Sequence, residues 1–271
     1  MNDTSTDGFS SLSKNSAAHY DQFFGPLYFE PYAVEVAKRI AAHPSSIVLE
    51  LASGTGRVTR HIREYITPSA RLIASDIDED MLTVAQQQLN HLDIDWQKIN
   101  AEQFPFEEQC IDMIVCCFGY MFVSNKPQAF AEAFRVLKPG GLLIFTTWDQ
   151  LEQNGASYTA RCVAEQYLGE PLPGSFDLAT SMSEKGAIAA SLRNAGFGKV
   201  VIEKVSLSAV CTTAEEAAHG FVQGAVFEEL RKRYPDRIEE AKLSLCQELA
   251  QKFGASPMIA PMRALISQAW K

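Results

Sequence analysis

Short apolar runs alternate with longer amphipathic ones through the first half of the chain. Residues 46–51 (SIVLEL) form a β-rich run that ends in a glycine-containing turn, and residues 57–66 follow with helical character. Residues 71–75 (RLIAS) predict the next strand. Asp78 then caps a helix to about Leu89, with acidic residues in its first turn, where the helix dipole favours them. Residues 94–99 predict a third strand, and residues 111–118 (IDMIVCCF) a fourth, whose near-continuous apolar run indicates burial on both faces. An amphipathic helix over 127–137 is stopped by Lys138, Pro139, Gly140 and Gly141, and residues 142–148 give strand five. This alternation is the signature of an α/β fold with a doubly wound, mostly parallel sheet and crossover helices.

The second half is less regular. Residues 156–168 read as a helix, 170–174 (EPLPG) as a break, 183–195 as a helix stopped by Gly196, and 199–207 as a strand. Residues 213–253 form a long, mostly helical insertion divided by Pro235, and 262–270 a final strand weakened by its alanines. An insertion of that size, about 212–258, is expected to act as a helical cap over a site. The polar residues 1–16 are expected to be a flexible tail, and 17–271 a single domain whose residues 17–30 form an N-terminal lid.

Composition narrows the function classes. The chain of 271 residues carries a formal net charge of −9, which argues against a phosphate-binding surface and hence against nucleic acid as a partner. No apolar run is long enough for a membrane span, and no apolar signal core opens the chain, so a cytoplasmic protein is expected. The six cysteines fall at no zinc-like spacing and the five histidines form no ligand-type pair, so no metal site is expected.

The chemistry centres on Glu50, Leu51, Ala52, Ser53, Gly54, Thr55 and Gly56, a carboxylate at a strand end followed by a tight small-residue turn. Gly54 and Gly56 allow the backbone to approach a ligand closely. A dinucleotide fingerprint would require glycine where Thr59 stands, and a phosphate loop would require Gly-Lys-Ser/Thr where Arg57 and Val58 follow Gly56. Glu50 would repel a pyrophosphate but suits a ligand bearing an ammonium group. Asp76, 20 positions beyond Gly56, lies at the expected end of strand two, where a carboxylate can accept both ribose hydroxyls of an adenosine. Taken alone it reads equally well as a solvated turn residue beside Asp78.

These residues together resemble the class I S-adenosylmethionine (SAM)-dependent methyltransferase family, and within it the branch of ubiquinone and menaquinone C-methyltransferases. Four motifs carry the resemblance in order: VLELASGTG, IASDIDEDML, INAEQFPFEEQCIDMIVCCFGYMF and FRVLKPGGLLIFTTW. It implies a Rossmann-like domain with SAM as cofactor and S-adenosylhomocysteine as product. By position it implies cofactor contacts at Tyr20, Glu50, Leu51, Ala52, Gly54, Gly56, Asp76, Ile77, Met81, Asn100, Ala101, Glu102, Cys117 and Phe118. Asp76 would hold the ribose and Ile77 the adenine face. Asn100 stands where many members carry Asp, so its amide oxygen would accept from the adenine amino group without charge assistance.

The acceptor side is less legible. The resemblance implies that Tyr28 faces the substrate; Trp148, at the carboxyl edge of the sheet, is expected with Tyr120 and Phe122 to wall the acceptor pocket, although each of these three is equally at home in a core. His19, Tyr20 and His219 lie in segments expected to cover the site and are candidate general bases; no catalytic residue is assigned. Cys116 and Cys117 lack the Pro-Cys context of a covalent nucleophile and read as buried strand residues. The resulting expectation is methyl transfer to oxygen or carbon of a small-molecule acceptor. A non-catalytic SAM-binding protein on the same fold is the alternative.

Overall fold

The computed structural model describes residues 20–271, and for Tyr20 the backbone alone. The expected tail, His19 and the Tyr20 side chain lie outside the described residues. Seven strands form one sheet: β1 (Ile47–Leu51), β2 (Arg71–Asp76), β3 (Asp95–Lys98), β4 (Ile111–Cys117), β5 (Leu137–Trp148), β6 (Lys199–Cys211) and β7 (Met258–Trp270). Their order is β3-β2-β1-β4-β5-β7-β6. The first five are parallel, and β7 runs antiparallel to both β5 and β6. The apolar runs dictate this: Val48, Leu49 and Leu51 of β1 and Met113 to Cys116 of β4 are buried, as central strands covered on both faces must be.

The helices are α1 (Glu30–Ala41), α2 (Arg57–Tyr65), α3 (Glu79–Gln88), α4 (Lys126–Val136), α5 (Gly155–Leu168), α6 (Lys185–Asn194), α7 (Ala214–Gln223), α8 (Glu228–Arg233) and α9 (Ile238–Phe253). Asp78 caps α3 as expected, its carboxylate accepting the N–H groups of Asp80 and Met81. Among the described residues, no helix is long and apolar enough to cross a membrane.

Three boundaries differ from the sequence reading. Lys138, Pro139, Gly140 and Gly141 lie inside β5, where a register shift accommodates them: Ile111 pairs with Leu137, but Met113 with Leu142. The last two strands are longer than expected, because they pair with each other from Lys199↔Trp270 to Cys211↔Met258. A second insertion, between β5 and α6, packs against the 212–258 segment expected as a cap. Its helix α5 packs on α9 and α8, and its turn Gly174–Thr180 lies against Tyr120–Phe122.

The strand order reverses between β1 and β4, and beyond the carboxyl ends of such a reversal an open α/β sheet has its crevice. Open α/β sheets bind ligands at such a switch point.

Candidate functional site

The crevice is floored by the turn after β1. Ala52, Gly54 and Gly56 have φ of 52°, 55° and 86°, a left-handed backbone that turns the chain sharply into α2. A side chain at Gly54 would meet no atom within 4 Å, so the turn presents open space there; at Gly56 it would strike Leu89 at 2.8 Å. Gly54 thus leaves room on the crevice side, and Gly56 seats the turn on α3.

Two acids flank this turn. Asp76 Oδ2 accepts the Gly54 N–H at 2.8 Å, and Oδ1 accepts the Asp78 N–H at 3.0 Å. The end of β2 is thereby tied to the turn, with further support from the Ser53 N–H on the Ser75 carbonyl (2.9 Å) and the Ser75 hydroxyl on the Glu50 carbonyl (2.7 Å). Glu50 is 1% exposed, and its Oε2 has no hydrogen-bond partner. Burial, with the Asp76 charge nearby, pushes the Glu50 carboxyl up to about 8. Burial also raises Asp76, although backbone N–H groups partly offset it. The nearest guanidinium in sequence, Arg57, is engaged elsewhere, by Asp21 and Glu30. Two buried acids that repel each other fit a ligand that brings hydroxyl donors to one and a cation to the other.

Ile77 is 61% exposed at the end of β2. Just past the end of the neighbouring β3, Asn100 is exposed, with Ala101 beside it half-buried. The Asn100 amide oxygen accepts the Glu102 N–H at 2.9 Å, so the group expected to accept from adenine already has one donor. Glu102 turns its carboxylate to the Asn125 N–H, and Met81 is buried in the first turn of α3.

The end of β4 closes the inner side. Phe118 has φ of +57°, an uncommon and strained conformation for an aromatic residue, held by its N–H on Thr146. Its ring stacks on Trp148 at 4.0 Å. Tyr28, Phe29 and Tyr32 surround the same indole at 5.8, 6.1 and 5.6 Å. The Tyr28 hydroxyl accepts from Ser157 Oγ at 2.9 Å, and Tyr32 donates to the Val205 carbonyl. Burial pushes Cys116 up to about 12 and Cys117 well above the thiol range, so both are inert thiols.

The structure thus gathers Glu50, Ala52, Gly54, Asp76, Ile77 and Phe118 at one crevice, with Tyr28 and Trp148 beside it. Tyr120 departs from the expected pocket wall: its ring is fully buried between Phe130 (4.8 Å) and Phe145 (5.2 Å), in the core. Phe122 is partly exposed on the adjacent turn. His219 is an exposed ring on α7, edge-on to Phe23 and hydrogen-bonded to Gln223. Sequence reasoning missed Tyr32 and Ser157, which no spacing relates to Trp148. It also missed the buried Asp149, whose carboxylate takes Lys204 from β6 and Arg263 from β7 at the end of β5.

Residues 48–141 match the model of a methyltransferase domain. Curated relatives include the ubiquinone/menaquinone biosynthesis C-methyltransferases of Hydrogenovibrio crunogenus, 31% identical over 45% of this chain and 48% of the relative, and of Psychromonas ingrahamii, 32% identical over 52% and 59%. The chain matches about half the length of these relatives. Among solved structures, phosphoethanolamine N-methyltransferase 2 of Haemonchus contortus, in complex with S-adenosyl-L-methionine, superposes with a TM-score of 0.60 at 14% identity, covering 96% of this chain and 57% of that one. The [4+2]-cyclase SpnF gives 0.54 at 17%, covering 98% and 84%. At these identities the likeness is one of fold.

Proposed function

We propose that this chain, a class I SAM-dependent methyltransferase by its domain and fold, transfers the methyl group of SAM to carbon or oxygen of a small, largely apolar acceptor. The observation that carries the reading is the pair of buried acids, Glu50 and Asp76, at a left-handed turn, one with an unpartnered carboxylate oxygen. SAM fits this set: its ribose hydroxyls suit Asp76, its ammonium suits Glu50, and its adenine suits the exposed Ile77 and residues 100–101. When bound, it supplies an activated methyl on a sulfonium.

What the protein contributes is placement and exclusion of water. Holding two reactants aligned can supply roughly 7–11 kcal/mol of the barrier. The turn and Asp76 fix the adenosyl end, and Phe118 and Trp148 border the methyl-bearing side. Aromatic faces there favour a cationic sulfonium over water. Tyr28 does not serve as a phenolate base, because burial holds its hydroxyl protonated. The aromatic lining at the ends of β4 and β5 supports an apolar acceptor.

A second reading has one observation in its favour. Phe118 and Trp148 stack on each other at 4.0 Å, so each covers a ring face that an acceptor would otherwise meet, which suits a protein that binds SAM or S-adenosylhomocysteine without passing on a methyl group. Calorimetric titration with SAM, S-adenosylhomocysteine and NAD tests the cofactor. Screening quinones, phenols and other small cyclic metabolites for release of S-adenosylhomocysteine tests the transfer. Binding of NAD, or failure of both adenosyl compounds to bind, would overturn the methyltransferase reading; adenosyl binding with no acceptor would favour the second.

A further inference from the structure

The turn at residues 52–56 and the cap at residues 212–257 lie far apart in sequence, yet one short segment touches both. At its start, Asp21 Oδ1 accepts from the Thr55 hydroxyl and from the Arg57 guanidinium, each at 2.8 Å, and Oδ2 accepts from Gln88 at 3.2 Å. Arg57 also donates to the Asp21 carbonyl at 3.0 Å. Gly25 lies flat on the same guanidinium; a side chain there would sit 2.4 Å from it. The neighbouring rings point the other way. Phe23 rests on Gly220 of α7, where an added methyl would come within 3.1 Å of it. Phe24 rests on Gly224 at the end of α7, where an added methyl would come within 2.9 Å of it, and meets Phe221 edge-on at 5.7 Å.

We propose that residues 21–24 are a strap through which the cap sets the conformation of the cofactor turn, with Asp21 a positioning residue for that turn. The assignment of the ligand rests on the methyltransferase reading; the mechanical link does not. Charge-assisted hydrogen bonds fall off steeply with distance and angle. Phe23 and Phe24 lie against Gly220 and Gly224, so a methyl added at either glycine displaces a ring, and a displacement at Phe24 is carried three residues back to Asp21. Two sites joined in this way share a coupling free energy. Closure of the cap over an acceptor would then tighten the grip on the cofactor through residues 21–24.

The test is a double-mutant cycle of Gly224→Ala and Asp21→Ala, read in two ways. In the ligand-free protein, hydrogen exchange is followed at the amides of residues 53–57. Gly224→Ala is expected to speed that exchange and to weaken S-adenosylhomocysteine binding several-fold in the parent, and to do neither in the Asp21→Ala background. Gly220→Ala removes a glycine from a helix interior, which favours folding. It should reproduce the effect more weakly, because its contact is less tight. Additive effects in the cycle, or a turn that ignores both glycine variants, overturn the strap. If the exchange coupling holds but the parent does not bind S-adenosylhomocysteine, the strap stands and the methyltransferase reading falls.

Discussion

At the scale of single residues, Glu50 and Asp76 carry the argument, and both make measurable predictions. The Glu50 carboxyl is lifted by burial from the ordinary glutamate range to about 8. The folded chain therefore holds a proton that the unfolded chain releases within that window. Its contribution to stability is fully present below the ordinary glutamate range and is lost as pH rises through about 8. A ligand ammonium favours the ionised form, so binding below that pH expels the proton. The dissociation constant of SAM should tighten as pH rises from about 6 to about 8. Calorimetry in buffers of different ionisation enthalpy should detect the released proton, and Glu50→Gln should abolish both effects. A flat pH dependence in the parent would separate Glu50 from the ligand. Asp76→Ala removes up to two charge-assisted hydrogen bonds to a ribose, each worth roughly 1.5–3 kcal/mol, and so should weaken SAM by at least about tenfold. It also frees the Gly54 N–H, so Asp76→Asn, which can keep that acceptor, should fall between the two.

At the scale of elements, the end of β5 is the joint on which the acceptor side depends. Trp148 takes part in the aromatic cluster, and the next residue, Asp149, is fully buried with Lys204 and Arg263 on its carboxylate. Lysine and arginine at 33% and 30% exposure hold the carboxyl of Asp149 below its usual range, burial opposing them. Asp149→Ala leaves two cations facing each other across the β6–β7 pair. Loss of one partner of a buried pair costs up to about 3–5 kcal/mol. Partial exposure of both cations screens that cost, and about 2 kcal/mol is expected. Chemical denaturation should show it, and Trp148 fluorescence should shift. A variant as stable as the parent would mean that the three charges are solvated independently.

At the scale of the whole molecule, the cap is built from two insertions that bury a common seam. Leu245 and Leu249 of α9 are fully buried, as are Ala160 and Ala164 of α5. Cys211 and Met258 are paired neighbours, so a short polar loop can replace residues 212–257 without breaking the β6–β7 ladder. That variant should keep the sheet, lose stability as α5 is uncovered, and lose methyl transfer to the native acceptor. Binding of S-adenosylhomocysteine should survive but weaken, since the strap then has nothing to lean on. Turnover at the parent rate would remove the insertion from the acceptor site.

The sequence by itself determined the first five strands, the helices between them, the turn at Glu50 to Gly56 and the placing of Asp76. These are local properties: a period of apolar residues, a cap such as Asp78, and glycines at left-handed positions all act within a few residues. Ile77 was singled out by the family resemblance alone, as the residue after Asp76. Only the tertiary structure decided that Tyr120 belongs to the core while Tyr28, Phe29, Tyr32 and Phe118 surround Trp148. An aromatic residue reads alike in a core and in a pocket until its partners are known. The same holds for the extent of β6 and β7. Each completes its length against the other, and that pairing joins residues up to 71 positions apart. The second cap insertion, the Asp149 cluster and the contacts of residues 21–24 with α7 arise likewise from contacts distant in sequence, which no local pattern of hydrophobic and polar residues records.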